Sequence, residues 1–313
     1  MQVTYGLENF TAFDRPLYLA LGNFDGVHKG HQELINTAVE QARRNNGISG
    51  ALIFDPHPLK ILNPNKRPLL LLNNNKQIEV LKRLGLDYLI YSKFNKDIAA
   101  LAPEKFVQDF LVDKLHVAGV VVGFNHSFGY KGAGKPDLLV KLGEQHGFAV
   151  TVIDPIIIDN HVVSSSLIRL LLAEGDIEAA KEMLGYYPEI EGVVLQGEKR
   201  GRTIGISTAN VGIESDYAIP GNGVYAAMTQ VEGKNYYSVV NIGNKLTFHD
   251  EFPTSIESHI IDFNRSIYGQ KIKLYFLEKI RDERKFSSAD ELVVQIMRDR
   301  EKALEICKQN IFL

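Results

Sequence analysis

Cysteine is almost missing from this sequence: Cys307 is the one thiol in 313 residues. That excludes an intrachain disulfide framework and makes a reducing compartment the expectation. An excess of charge is missing too, since 35 Lys and Arg stand against 38 Asp and Glu, a formal net charge of −3. A general nucleic-acid binder usually shows a basic excess, so the balance argues against that class, while it does not exclude a local basic pocket for a small phosphorylated ligand. No apolar run approaches the ~18–20 residues that a membrane span needs. The opening residues MQVTYGLENFTAFDRP lack the basic-then-apolar order of a secretion signal. Internal repeats and low-complexity tracts are absent as well. The expectation left standing is a cytoplasmic globular protein of two domains, at ~100–200 residues per domain. A chain of this size builds its core without a disulfide or metal staple.

What is present falls into two patterns. The first half alternates short apolar runs with helical stretches. Leu17–Leu21, Ala51–Phe54, Asp87–Tyr91, Gly119–Val122 and Ala149–Ile153 read as strands. Gly30–Arg44, Gln77–Leu84, Pro103–Leu115 and Pro136–His146 read as helices. Alternation of this kind, with continuously apolar strands, predicts a parallel sheet covered on both faces. A helical stretch over Ser166–Leu184, broken at Gly175-Asp176, follows. Then come strand-like runs at Gly192–Leu195, Gly223–Val231, Tyr236–Ile242, Ser255–Phe263 and Lys271–Phe276, separated by turns such as Glu232-Gly233-Lys234-Asn235. Short, regularly spaced strands predict a small antiparallel barrel or sandwich. Ser287–Gln309 closes the chain as an amphipathic helix, with Ser288 and Asp290 as candidate caps. The division between domains is expected near Gly185–Glu191.

Chemistry concentrates first at Leu21-Gly22-Asn23-Phe24-Asp25-Gly26-Val27-His28-Lys29-Gly30-His31, directly after the first strand. Gly22, Gly26 and Gly30 permit a tight turn and close backbone approach to a ligand. The helix that opens here offers free N–H groups and its positive end to a phosphate. His28 and His31, three apart, can donate hydrogen bonds to charge growing on phosphorus. Either histidine alone reads as a surface residue on a glycine turn; strand, glycines, histidine pair and helix arriving in that order are far more specific. No GxxxxGK[ST] loop is present, and this turn is not GxGxxG, which excludes a P-loop enzyme and disfavours a dinucleotide dehydrogenase.

Three further segments follow predicted strands, on the edge where open α/β sheets bind ligands. They are Phe54-Asp55-Pro56-His57-Pro58, Val122-Gly123-Phe124-Asn125-His126-Ser127-Phe128-Gly129 and Val163-Ser164-Ser165-Ser166-Leu167-Ile168-Arg169. Singly, a serine run is a helix cap and a Pro-His-Pro stretch a rigid turn. Together with His28-Lys29-Gly30-His31 they resemble the nucleotidyltransferase superfamily. Within it they resemble the FMN adenylyltransferase module of prokaryotic bifunctional riboflavin kinase/FAD synthetases, over roughly residues 15–185. The resemblance implies that His28, His31, Asn125, Ser164 and Arg169 handle ATP phosphates and transition-state charge. It also implies that Phe54, Pro56 and Pro58 line the flavin side and that Gly22, Phe24, Asp25, Gly30 and Ser165 shape the nucleotide site. This chain has His126 where the family commonly has an acid or another polar residue, and Lys131–Lys135 is less basic than usual.

The second half carries Gly197-Glu198-Lys199-Arg200-Gly201-Arg202-Thr203-Ile204-Gly205-Ile206-Ser207-Thr208-Ala209-Asn210. Alternating glycines and basic residues suit phosphates, although such a stretch is more often an exposed hairpin. Next come Gly223-Val224-Tyr225, Asn241-Ile242-Gly243-Asn244-Lys245-Leu246-Thr247-Phe248, Glu257-Ser258-His259 and Tyr268-Gly269. In this order, over roughly 186–305, they resemble the riboflavin kinase module of the same family. The resemblance implies that Thr208 and Asn210 hold Mg²⁺ and ATP phosphates, that Arg202 and Asn241 contact ligand, and that Glu257 is the general base for the riboflavin 5′-hydroxyl. Ser207 and Leu246 stand where the family has proline.

The expected architecture is therefore α/β. A Rossmann-like nucleotidyltransferase domain with a parallel sheet spans 1–185, and a riboflavin kinase-like antiparallel β-barrel with a terminal helix spans 186–313. The expected function is adenylyl transfer from ATP to FMN, with phosphorylation of riboflavin by the second domain. ATP, FMN and riboflavin are the partners, Mg²⁺ the cofactor, and neither nucleic acid nor membrane is involved; the sequence sets no oligomeric state. The alternatives are an adenylyltransferase whose kinase domain is impaired, a nucleotidyltransferase for another acceptor, and a non-catalytic flavin-binding or regulatory protein.

Overall fold

The structure is a computed structural model that describes residues 1–63, 68–196, 207–213, 217–244 and 254–310. It forms two compact units, Met1–Ser165 and Ser166–Leu313. The first threads β1 (Gln2–Tyr5), β2 (Leu17–Leu21), α1 (Lys29–Arg44), β3 (Ile48–Asp55), α2 (Pro58–Leu62), α3 (Asn74–Arg83), β4 (Tyr88–Lys93), α4 (Lys96–Ala99), α5 (Pro103–Phe106), β5 (Val117–Gly123), α6 (Pro136–His146) and β6 (Ala149–Ile153). A small hairpin, β7 (Ile157–Ile158) and β8 (His161–Val162), follows. Strands β1 to β6 form one sheet in the order β1-β4-β3-β2-β5-β6, and every pair in it is parallel.

The apolar runs explain the sheet. Leu19, Ala51, Leu89 and Val120 are fully buried in four successive strands, as strands covered on both faces must be. From β2 the chain builds outwards through β3 and β4 on one side, then returns to place β5 and β6 on the other. Strand order therefore reverses at β2, and the crevice outside the carboxyl ends of β2 and β5 is where such sheets take ligands. The expected helix over Pro103–Leu115 is irregular. After Phe106 it continues as a π-helical turn over Val107–Val112, with Asp113 N–H bonding the Gln108 carbonyl and Leu115 N–H the Phe110 carbonyl. Strand β1 was not expected. It is short and sits at the sheet edge on β4.

The second unit contains α7 (Ser165–Glu174, opening at the division), α8 (Ile177–Leu184), β9 (Glu189–Leu195), β10 (Ala209–Gly212), β11 (Gly223–Val231), β12 (Lys234–Asn244), β13 (Thr254–Ile260), β14 (Lys271–Arg281) and α9 (Ala289–Gln309). Its strands close a barrel in the order β10-β13-β12-β11-β14-β9, with antiparallel pairing throughout. Closure removes the free edges that an open sheet exposes. The β11–β12 turn is two residues, Glu232 at φ 50° and Gly233 at φ 78°, the left-handed pair that suits a tight hairpin. Inside the barrel Thr229, Ser238 and Ser258 are fully buried and bond one another: Thr229 Oγ1 lies 2.8 Å from Ser238 Oγ and 3.0 Å from Ser258 Oγ. Helix α9 starts at Ser288, whose hydroxyl accepts the Glu291 N–H. It packs Ala303, Ile306 and Cys307 against Val224, Ala226, Met228 and Val239.

Candidate functional site

In the first unit the site grows from the turn after β2. Phe24 (φ 49°), Gly26 (φ 81°) and Val27 (φ 33°) are left-handed. For non-glycine residues that geometry costs about 1–3 kcal/mol each and persists only where the surroundings enforce it. The turn delivers His28 to the N-cap of α1, where its Nδ1 accepts the His31 N–H at 3.3 Å. The two rings stack 3.6 Å apart at 15°. A Cβ on Gly30 would come 3.3 Å from the His28 ring, so glycine leaves that imidazole its space. Burial, and then the neighbouring His28, hold the pKa of His31 well below its ordinary value. The His31 Nδ1 is buried without a hydrogen-bond partner.

Phe24 and Asp25 lie beneath the turn rather than on its surface. Phe24 is fully buried, meets His31 edge-on at 5.3 Å and fills the space beside Gly22. The Asp25 carboxylate accepts the Leu71 N–H at 2.9 Å, and its carbonyl accepts the Ser165 hydroxyl at 2.8 Å. Ser165 therefore both opens α7 and ties the turn. Ser164 adjoins it, and Arg169 stands four residues further along α7, in the second unit.

At the end of β3 the Asp55–Pro56 bond is cis. Pro58 opens α2, which His57 caps through its ring at 3.2 Å from the Leu59 N–H. Phe54 meets Phe94 at 5.2 Å and Phe106 at 6.3 Å, and Phe106 meets Phe128 at 5.8 Å. This aromatic wall forms on the carboxyl edge of the sheet. After β5, Asn125 is exposed and His126 stacks on Phe128 at 5.9 Å. Burial first, then Lys135, push the His126 pKa down to about 4.

In the barrel the pairing register aligns three expected residues. Asn210 on β10 faces Glu257 on β13, and Glu257 faces Asn241 on β12. Directly paired residues share a face, so the three form a row across neighbouring strands. Their neighbours Ala209, Ser258 and Ile242 are the buried ones, which puts the row on the outer surface of the barrel. Thr208 joins it, with Oγ1 3.5 Å from Glu257 Oε2. The Ser207 carbonyl accepts from His259 Nδ1 at 2.9 Å, so a hydrogen bond ties the segment at the position where the family has proline. A cleft of about 610 Å³ opens beside this row, lined among others by Ser207, Thr208, His259, Asp262, Arg265 and Tyr268. Arg202, most of the glycine-rich segment and Leu246 lie outside the described residues.

Two family models match the chain, FAD synthetase over residues 11–167 and riboflavin kinase over 184–307. The bifunctional riboflavin kinase/FMN adenylyltransferases of Listeria monocytogenes and Bacillus subtilis are both 39% identical to it, covering 90% and 91% of each chain respectively. The chain belongs to the bifunctional riboflavin kinase/FMN adenylyltransferase family. The family's Escherichia coli member is 34% identical, covering 97% of both chains. A solved structure described as a macrolide-efflux protein from Streptococcus pneumoniae shares the fold at TM-score 0.88 and 30% identity, covering 96% of this chain and 98% of that one. Among the described residues no helix is long and apolar enough to cross a membrane.

Family motifs pointed to the residues expected to face ligand and gave no signal for the residues that support them. Gln77 and Tyr91, buried behind the glycine turn, carry no motif. The one available signal was a polar residue at an apolar position of the predicted helix.

Proposed function

We propose that the chain makes FAD from FMN and ATP in its first module, residues 1–185, and FMN from riboflavin and ATP in its second, residues 186–313. The observation that carries this reading is the stacked His28–His31 pair at the start of α1, set where the strand order reverses in a chain of this family.

In the first reaction an FMN phosphate oxygen bonds to the ATP α-phosphorus as the bond from that phosphorus to the bridging oxygen breaks, and pyrophosphate leaves. His28 and His31 aim N–H donors at the phosphoryl oxygens, where charge grows. Donors fixed in advance in a water-poor site are worth most there. The N-terminus of α1, Ser164 and Ser165 bind phosphate, the Asn125 amide donates to it, and the Arg169 guanidinium grips it in two-point fashion. Gly22 and Gly30 leave room for the Phe24 and His28 rings, with Phe24 and Asp25 as the floor of the turn. Phe54, Pro56 and Pro58 present an apolar wall to the flavin.

In the second reaction Glu257 accepts the proton of the riboflavin 5′-hydroxyl as its oxygen bonds to the γ-phosphorus and ADP leaves. The cleft beside Thr208 takes the nucleotide, with Asn241 and Arg202 completing the ligand contacts. Thr208 and Asn210 offer hard oxygen donors beside a carboxylate, a set that fits Mg²⁺, which binds through one or two such groups plus substrate phosphates. Among the described residues no cluster of three or more His, Cys, Asp or Glu could hold a metal by itself, and sharing the ion with phosphates needs none. When bound, Mg²⁺ neutralises phosphate charge. The lone, buried Cys307 suits a reducing cytoplasm.

The test is chromatography of the products from riboflavin plus ATP and from FMN plus ATP, each with Mg²⁺. FAD is expected from both. No FAD from FMN defeats the first assignment, and riboflavin left unphosphorylated defeats the second.

A further inference from the structure

The strained turn needs an anchor, and the anchor comes from α3. Gln77 is 7% exposed and sends its Nε2 to two backbone carbonyls, Asn23 at 3.2 Å and Phe24 at 3.0 Å. Carbonyl oxygens only accept, so the amide NH₂ must face the turn and Oε1 is left over. The Tyr91 hydroxyl donates to that Oε1 at 2.8 Å. Tyr91 is 3% exposed on β4, and Tyr5 of β1 stacks on its ring at 5.3 Å and 9°. Burial raises the Tyr91 pKa above its ordinary value, which keeps the hydroxyl a donor. The carbonyls gripped by Gln77 belong to the residues just before and at the first left-handed position, Phe24. At the other end Gln32 donates to the Val27 carbonyl at 2.8 Å.

The geometry points to Gln77 as a positioning residue for adenylyl transfer, with Tyr91 fixing the direction of its amide; this rests on the assignment of FAD synthesis to the first module. Gln77 touches no reacting atom. It holds the turn that sets His28 at the N-cap and His31 against it. Removing its donors takes the Gln77 bond from the Asn23 carbonyl and leaves the Phe24 carbonyl only the Val27 N–H at 3.0 Å, which lets the left-handed turn relax. A displacement of ~1 Å in a catalytic group can slow the chemistry about 10²-fold.

The experiment compares full-length wild type, Gln77→Met and Tyr91→Phe in two readouts. One is steady-state FAD formation from FMN and ATP, and the other is amide hydrogen exchange over residues 22–32. Methionine keeps the length and loses both donors; phenylalanine leaves the donors and loses only the hydroxyl that orients them. Gln77→Met is expected to lower kcat about 100-fold with KM for both substrates nearly unchanged, and to speed exchange in the turn. Tyr91→Phe is expected to show both effects more weakly, and riboflavin phosphorylation by the same preparations is expected at wild-type rate. A Gln77→Met protein with wild-type kcat and wild-type exchange overturns the inference. If that variant does not fold, wild-type values in Tyr91→Phe overturn it. Wild type that makes no FAD refutes the functional assignment instead, and the exchange comparison then decides the role of Gln77.

Discussion

A histidine that caps a helix with a ring nitrogen cannot carry a proton on that nitrogen. His28 Nδ1 accepts the His31 N–H, so the N–H that His28 can offer sits on Nε2. Burial and the adjacent ring oppose a charge on His31. In the proposed site each imidazole gives one N–H to the nucleotide. In His28→Asn the neighbour's contribution disappears while burial, the larger cause, remains. The His31 titration midpoint, followed by NMR, should rise and still lie below 6.5; a midpoint at or above 6.5 would refute burial as its main cause. His126 makes a second case. Its pKa falls to about 4 in the folded protein, against ~6.5 unfolded, so between those values the unfolded chain binds the extra proton. Stability is then fully present above pH 6.5 and is lost as pH falls towards 4. Replacing His126 by Phe should recover roughly 1–2 kcal/mol at pH 5 and none of it at pH 7.5, measured as the change in urea midpoint.

At the scale of the element, α9 shows how a polar contact fixes packing. Asp299 is 2% exposed and takes Arg281 of β14 in two-point fashion, with Nε at 3.1 Å from both oxygens and one terminal nitrogen at 2.8 Å. Gln295 adds a third donor at 2.7 Å. Asp299→Ala leaves the mostly buried guanidinium without its carboxylate, holding only the Asp282 carbonyl at 2.9 Å, which should destabilise the unit by about 3–5 kcal/mol in guanidinium unfolding. A loss under ~1 kcal/mol, the range of surface pairs, would reject that reading of the contact. The helix itself was legible in the sequence, from Ser288 as its cap and its apolar stripe, but Asp299 was not. Periodicity shows that a helix has a buried face, and an acid on that face declares itself only when its partner is placed. The same limit hid Gln77. Whereas β12 and β14 extend past the expected Tyr236–Ile242 and Lys271–Phe276 into more polar residues, Gly223–Val231 read to the residue, because a mostly apolar run has few other meanings. Four-residue strands did not: β1 and β10 owe their pairing to neighbours far away in sequence. The row Asn210–Glu257–Asn241 follows from register, and register is set by the closure of the barrel. Only family motifs pointed to those three residues beforehand.

For the whole molecule the question is whether the two reactions need one chain. Two variants separate them. His28→Ala with His31→Ala removes the proposed paired donors of the first module, and loss of even one such donor costs about 10²–10³-fold in rate. Glu257→Gln removes the proposed base of the second. From riboflavin and ATP the first variant should stop at FMN. The second should leave riboflavin untouched, yet make FAD once FMN is supplied. Each variant keeps the module that the other lacks, so a mixture should convert riboflavin to FAD through FMN released into solution. The rate should rise with the concentration of the adenylylating variant, because the intermediate must find a second molecule. A mixture in which FMN stops at about one equivalent of the kinase-competent variant and no FAD forms, while the Glu257→Gln protein still adenylylates added FMN, would mean that the FMN formed stays bound where it was made. Release from the kinase module, and not either chemical step, would then limit FAD synthesis.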